Sequence, residues 1–226
     1  MGKQFRLDRQ RDQGQRFMLW CEASGVVPQL QRVAEPYGID VYCSGGFDKV
    51  TGKREIGIAF ATLQQPVTVL HIGDHDRSGV HIFEALAGDI IAFADAEAAA
   101  RDLELSDIEF VRQAITPDLA AQYDVPDNGA PNPNDKRRFD RYAVRCASGG
   151  DPEYRGCDPR VTRQAEGLDP ATLAALIGDA ITKRTDSAVY DAVLDHEDAV
   201  QTAIATKLAN LEAPPPPARR LQRPQC

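Results

Sequence analysis

An α/β fold is predicted, with a four-stranded, mostly parallel sheet flanked by helices and a helical C-terminal extension. Two observations predict it. Short, wholly apolar runs alternate with segments of helical period, which is the pattern of βαβ units. Acidic residues stand at the ends of two of those runs, Glu22 directly after FMLWC and Asp74 one residue beyond VTVLHI, where the carboxyl ends of parallel strands would lie.

The elements follow in order. Residues 1–16 form a polar, basic leader, and Phe17 to Cys21 reads as a strand buried on both faces. Gly25 to Tyr37 places Val26, Val27, Leu30, Val33 and Ala34 at helical spacing, closed by Pro36 and Gly38. Ile39 to Cys43 is a second strand, followed by the turn Ser44-Gly45-Gly46. Residues 50–63 form a helix that Pro66 stops. Val67 to Ile72 is the strongest strand, β-branched and apolar, and it runs into Gly73-Asp74-His75-Asp76-Arg77-Ser78-Gly79. A long helix begins near Ser78, with Val80, Phe83, Leu86, Ala87, Ile90 and Phe93 on one face. Ile108 to Ile115 is a fourth strand and Pro117 to Tyr123 a short helix, which completes a domain over 17–123. Residues 124–160 read as an irregular basic connection with a helical turn around Lys136 to Val144. Helices at Pro170 to Lys183 and Ser187 to Leu211 make 161–211 a helical part of the same domain, and 212–226 is a disordered Pro/Arg tail.

Composition narrows the function classes. The chain has 226 residues, 42% hydrophobic and 27% charged, ordinary for a globular protein. Its apolar runs fall short of the ~18 residues a membrane span needs. No apolar signal segment opens it, so a cytoplasmic location and no membrane partner are expected. The five cysteines form no zinc-type pairs and read as reduced, mostly structural thiols, with Cys146 and Cys157 able to bridge in an oxidising setting. A net charge of −8 argues against nucleic-acid binding over the whole surface. Its distribution is uneven: residues 84–127 hold 11 acids and 2 bases, whereas 130–163 hold 8 bases and 5 acids.

Glu22, Asp74 and Asp76 at one sheet edge would repel one another unless a divalent cation neutralised them, and oxygen ligands suit Mg²⁺ or Mn²⁺. Taken singly, each has a plainer role, Glu22 as a strand-end charge and Asp74 or Asp76 as a helix cap. In combination, Glu22 after the first strand, Ser44-Gly45-Gly46 after the second and GDHDRSGVHI after the third resemble the Toprim domain, a Rossmann-like fold. The likeness is to the Toprim portion of type IIB topoisomerase A subunits and meiotic double-strand-break proteins. Ala114-Ile115-Thr116-Pro117-Asp118, Asn134-Asp135-Lys136-Arg137 and Gln164-Ala165-Glu166-Gly167-Leu168 extend it, over roughly 17–180.

The resemblance implies that Glu22, Asp74 and Asp76 hold one or two Mg²⁺ (or Mn²⁺) ions and act on a phosphodiester of DNA. Two departures shape that expectation. Arg77 stands where the family has proline, which leaves the ligands in place. Only 16 residues precede the first strand, and none of the six tyrosines matches the nucleophile of the family's winged-helix domain. A complete topoisomerase is therefore not expected. The enzyme reading is a hydrolytic nuclease or strand-cleaving subunit using water, with Glu22 as ligand or general base. The alternative is an accessory subunit that binds metal and nucleic acid while a protein partner supplies the nucleophile, through a winged-helix or ATPase function; a homodimer fits either. A phosphatase of the haloacid-dehalogenase type would need Asp-x-Asp where this chain has Cys21-Glu22-Ala23.

Lys53 and Arg54, with Lys49, are candidate phosphate contacts, and Lys136, Arg137, Arg138 and Arg141 a candidate nucleic-acid track; solvated surface charge explains either set equally well. Gly45 and Gly46 shape a loop at the site, and Ser78 and Gly79 offer backbone N–H groups to an anion at the helix start. His75 is catalytic or a structural hydrogen-bonding group. Glu166 either extends the acidic cluster or is buried at a helix start.

Overall fold

The computed structural model describes residues 5–44, 49–63, 65–128 and 161–212. The expected glycine turn at Gly45 and Gly46, most of the 124–160 connection, Cys146, Cys157 and the tail beyond 212 lie outside the described residues.

Four strands, β1 (Arg16–Cys21), β2 (Asp40–Cys43), β3 (Val67–Ile72) and β4 (Ile108–Ala114), form one sheet in the order β2-β1-β3-β4. Every pairing is parallel, so "mostly parallel" sharpens to wholly parallel. β3 is buried at all six positions, which its unbroken apolar and β-branched sequence requires of a central strand covered on both faces.

The helices are α1 (Val27–Ala34), α2 (Val50–Leu63), α3 (Arg77–Ala100), α4 (Pro117–Gln122), α5 (Pro170–Thr182) and α6 (Ser187–Glu212). Two hydrophobic layers sandwich the sheet. Phe17, Leu19, Leu70 and Ile72 face Leu30 and Ala34 of α1 and Leu173 and Ile177 of α5. Trp20, Val67 and Val69 face Ile56 and Phe60 of α2 and Leu86 and Ile90 of α3. The buried Trp20 indole N–H donates to Ser44 Oγ at 2.9 Å, so the largest core side chain leaves no polar atom stranded.

This layering decides where a ligand fits. The chain leaves β1 for α1 on one face and leaves β3 for α3 on the other, so the carboxyl ends of β1 and β3 flank a topological switch point. In open parallel sheets that crevice is where ligands bind.

The described part of the basic leader is tied into the fold. Residues 5–15 are a polar strap across the base of the domain. Arg9 donates to Glu197 of α6 at 2.8 Å and Leu7 N–H to the same carboxylate at 3.0 Å, while Gln13 exchanges hydrogen bonds with the Asp186 backbone. Arg9 holds the Glu197 carboxyl below its ordinary 4.5, so the pair's contribution to stability is complete above that pH and is lost as pH falls through the lowered value. The sequence did not single out Glu197, because a glutamate at the buried position of an amphipathic helix is visible only with its partner.

Helices α2 and α3 approach closely at Gly57. A Cβ there would lie 2.6 Å from Phe93 Cβ and 2.9 Å from the Ile90 carbonyl oxygen. Gly57→Ala gains about 1 kcal/mol of helix propensity but forces the helices apart, an overpacking cost of about 1–3 kcal/mol. A lowered urea midpoint with unchanged m-value is expected; a midpoint above wild type would show that the helices separate freely.

Candidate functional site at the carboxyl edge of the sheet

Glu22 is the first residue beyond β1, and its N–H still pairs with the Ile72 carbonyl at 3.0 Å. The β1–β3 ladder thus fixes its backbone. Its carboxylate crosses to β3, where Oε2 accepts the Asp74 N–H at 3.2 Å and Oε1 lies 3.4 Å from His71 Nε2. Gly73 makes this approach possible, because a Cβ there would stand 2.5 Å from the Glu22 carboxyl. Glycine at this point of the GDHDRSG run is a steric requirement of the carboxylate beside it.

The three residues that follow diverge. Asp74 Oδ1 accepts the Ala165 N–H at 2.8 Å, which ties the loop to the segment ahead of α5. His75 is 2% exposed, and its backbone exchanges hydrogen bonds with Arg163 at 2.7 and 3.3 Å in an isolated antiparallel bridge. Asp76 caps α3, its Oδ1 accepting the Gly79 N–H at 2.8 Å. This corrects one expectation. The Gly79 amide is occupied by Asp76 and is not offered to an anion, and Ser78 is half-buried in the first turn.

Residues 161–168 are thereby folded onto the sheet edge, which the sequence indicated only through the resemblance of Gln164 to Leu168. Glu166 is exposed, not buried, and its Oε1 lies 3.0 Å from where a Cβ on Gly25 would be, beside the loop that leaves β1.

The electrostatics are one-sided. Burial pushes the Asp74 carboxyl above its ordinary value, the Ala165 N–H pulls it down, and the negative charges of Glu22, Asp76 and Glu166 push it up again. Behind these acids lies a buried cation. Arg112 of β4 is paired in register with His71 and donates to the carbonyls of Gly73 (3.4 Å), Gly79 (3.3 Å), Ile115 (3.2 Å) and Asp74. His71 is fully buried, and that burial, with the neighbouring guanidinium, holds its pKa well below the ordinary range. Its contact with Glu22 is therefore between a neutral imidazole and a carboxylate, not an ion pair. Neither His71 nor Arg112 was a sequence candidate, although a histidine and an arginine inside otherwise apolar strands were the available signal.

Glu22, Asp74 and Asp76 were expected to hold one or two divalent ions jointly. Among the described residues no group of three His, Cys, Asp or Glu side chains is arranged to hold a metal. The physical reason is that Glu22, Asp74 and Asp76 each spend an oxygen on a backbone N–H in a different direction. An all-oxygen pair such as Glu22 and Asp74 still suits Mg²⁺, which commonly takes one or two carboxylates and keeps several waters.

Of the basic candidates, Lys53 pairs with Asp89 of α3 at 2.9 Å. That aspartate is 13 residues along the helix from Asp76, roughly 20 Å at 1.5 Å per residue, so Lys53 is not brought to the acids. Arg54 is exposed on α2. Lys136, Arg137, Arg138 and Arg141 lie outside the described residues. No protein-family model matches the chain, and no curated protein matches it.

Because the folded state raises Asp74 above its ordinary 3.8, ionising it favours the unfolded chain. Asp74→Asn retains an acceptor for Ala165 and removes the charge. In metal-free buffer at neutral pH the variant should melt a few degrees above wild type, and the advantage should vanish below pH 3.8, where the carboxyl is protonated in both states. Equal or lower melting at neutral pH would mean that the acids are not in uncompensated repulsion.

Proposed function

We propose that Glu22 and Asp74 bind a hydrated divalent cation, Mg²⁺ or Mn²⁺, and that the chain carries out Toprim-type hydrolysis of a DNA phosphodiester at this edge. The observation that supports the reading is the pair of carboxylates at the ends of β1 and β3 at the switch point, with Asp74 half-buried among like charges. When bound, the cation would neutralise the scissile phosphate and stabilise charge on its oxygens.

The chain's own groups supply the rest. The Asp74 N–H and the neutral His71 ring orient the Glu22 carboxylate. Glu22 is thus placed either to ligate or to accept the proton of an attacking water as general base. Asp76 fixes the start of α3, and Glu166 adds negative charge at the rim. No tyrosine takes part.

A specific observation favours the accessory-subunit reading as the second possibility. Arg6, Arg9, Arg11, Arg16 and Lys53 each form an ion pair within the chain. Phosphate contacts then fall to the exposed Arg54, to the 136–141 track or to a partner that also brings the nucleophile.

The test is incubation of the purified chain with plasmid, linear and single-stranded DNA in EDTA, Mg²⁺ and Mn²⁺. Cleavage in Mg²⁺ or Mn²⁺ is expected, at least 100-fold slower in Asp74→Ala and free of any protein-linked DNA end on denaturing gels. Metal-dependent DNA binding without cleavage would favour the accessory reading. Cleavage undiminished by Asp74→Ala, or a detergent-stable adduct lost with one Tyr→Phe change, would overturn the mechanism.

A further inference from the structure

Cys21 and Cys43 end β1 and β2, and they face each other in register across the parallel pair. Strands so paired run about 4.8 Å apart, within the roughly 4.4–6.8 Å that separates the Cα atoms of bridged cysteines. Both side chains point to the α1/α5 face, in the layer of Leu19 and Val41. Each thiol also reaches the other strand: Cys21 Sγ donates to the Tyr42 carbonyl at 3.4 Å and Cys43 Sγ to the Glu22 carbonyl at 3.7 Å. Both are free thiols; Cys21 is buried and Cys43 half-buried.

We propose that Cys21 and Cys43 form a reversible thiol–disulfide site, a cross-strand bridge made by exchange with a low-molecular-weight disulfide such as oxidised glutathione. The inference is independent of metal binding at the neighbouring edge. Cys43, the more accessible thiol, attacks one sulfur of oxidised glutathione as its thiolate, forming a mixed disulfide and releasing one glutathione. Cys21 then attacks the Cys43 sulfur, the protein S–S bond forms, and the second glutathione leaves. The two protein thiols lose two electrons, which reduce one glutathione disulfide, and the two thiol protons end on the two glutathione thiols. Burial of Cys21 makes the second step slow.

The test uses the full chain with Cys146, Cys157 and Cys226 replaced by serine. After oxidised glutathione under native conditions, free thiols are trapped with N-ethylmaleimide and the protein is digested with trypsin without reduction. Cleavage after Arg16, Arg32 and Lys49 places the two cysteines on separate peptides, 17–32 and 33–49. A linked pair two hydrogens lighter than the sum is expected, at least tenfold more abundant than from urea-unfolded protein in the same time, and lost on brief dithiothreitol treatment. Adding Cys21→Ser should leave the glutathione adduct on Cys43. A glutathione adduct on Cys43 with Cys21 fully trapped by maleimide, or equal linkage in the unfolded chain, would overturn the proposal.

Discussion

Four backbone carbonyls converge on the Arg112 guanidinium, and the shape of the acidic edge depends on that convergence. Three of these carbonyls, those of Gly73, Asp74 and Gly79, belong to the run from β3 into α3, and the fourth to Ile115 beyond β4; the Gly73 carbonyl also accepts the Ile115 N–H at 2.8 Å. A buried carbonyl left without a donor costs about 1–3 kcal/mol. One planar group with five N–H donors in a fixed fork satisfies several at once, which a lysine at the same position would not do. The same cation lies behind the carboxylates of Glu22 and Asp74 and beside the neutral His71. It thereby sets both the course of the loop and the field around it.

That arrangement is asymmetric in a useful way. Inside the fold, Arg112 is committed to carbonyls. On its other side stand the acids Glu22, Asp74, Asp76 and Glu166, and the Asp74 carboxyl is raised first by its own burial and then by these neighbouring charges. Each carboxylate of the first three has one oxygen fixed by a backbone amide, which orients it and limits how far it can turn to meet a ligand. A small, strongly hydrated cation that needs only one or two carboxylates is compatible with this geometry.

Much of the framework was legible in the sequence because hydrophobic period and turn residues determine it locally. Val67 to Ile72 is a strand at the expected bounds, and Pro170 and Ser187 start helices where the pattern placed them. The placement of Glu22 and Asp74 at strand ends was likewise legible, since each follows an apolar run. What escaped was set by long-range partners. Asp76 proved to be the helix cap, a role that its spacing allowed but did not demand. Arg112, His71 and Glu197 became informative only once the sheet and α6 placed a partner beside each. The strap of residues 5–15 read as a charged leader because its burial depends on Asp186 and Glu197, more than 170 residues away in the chain.

The central claim is that the Glu22–Asp74 pair at the switch point is a divalent-cation site. The most direct measurement is an anomalous difference map from crystals of the full chain grown with Mn²⁺, recorded at wavelengths on either side of the manganese absorption edge. The account predicts a peak bridging or adjoining the Glu22 and Asp74 carboxylates, absent from crystals of Asp74→Asn grown alike. Manganese bound elsewhere on the chain, with this edge empty, would contradict it.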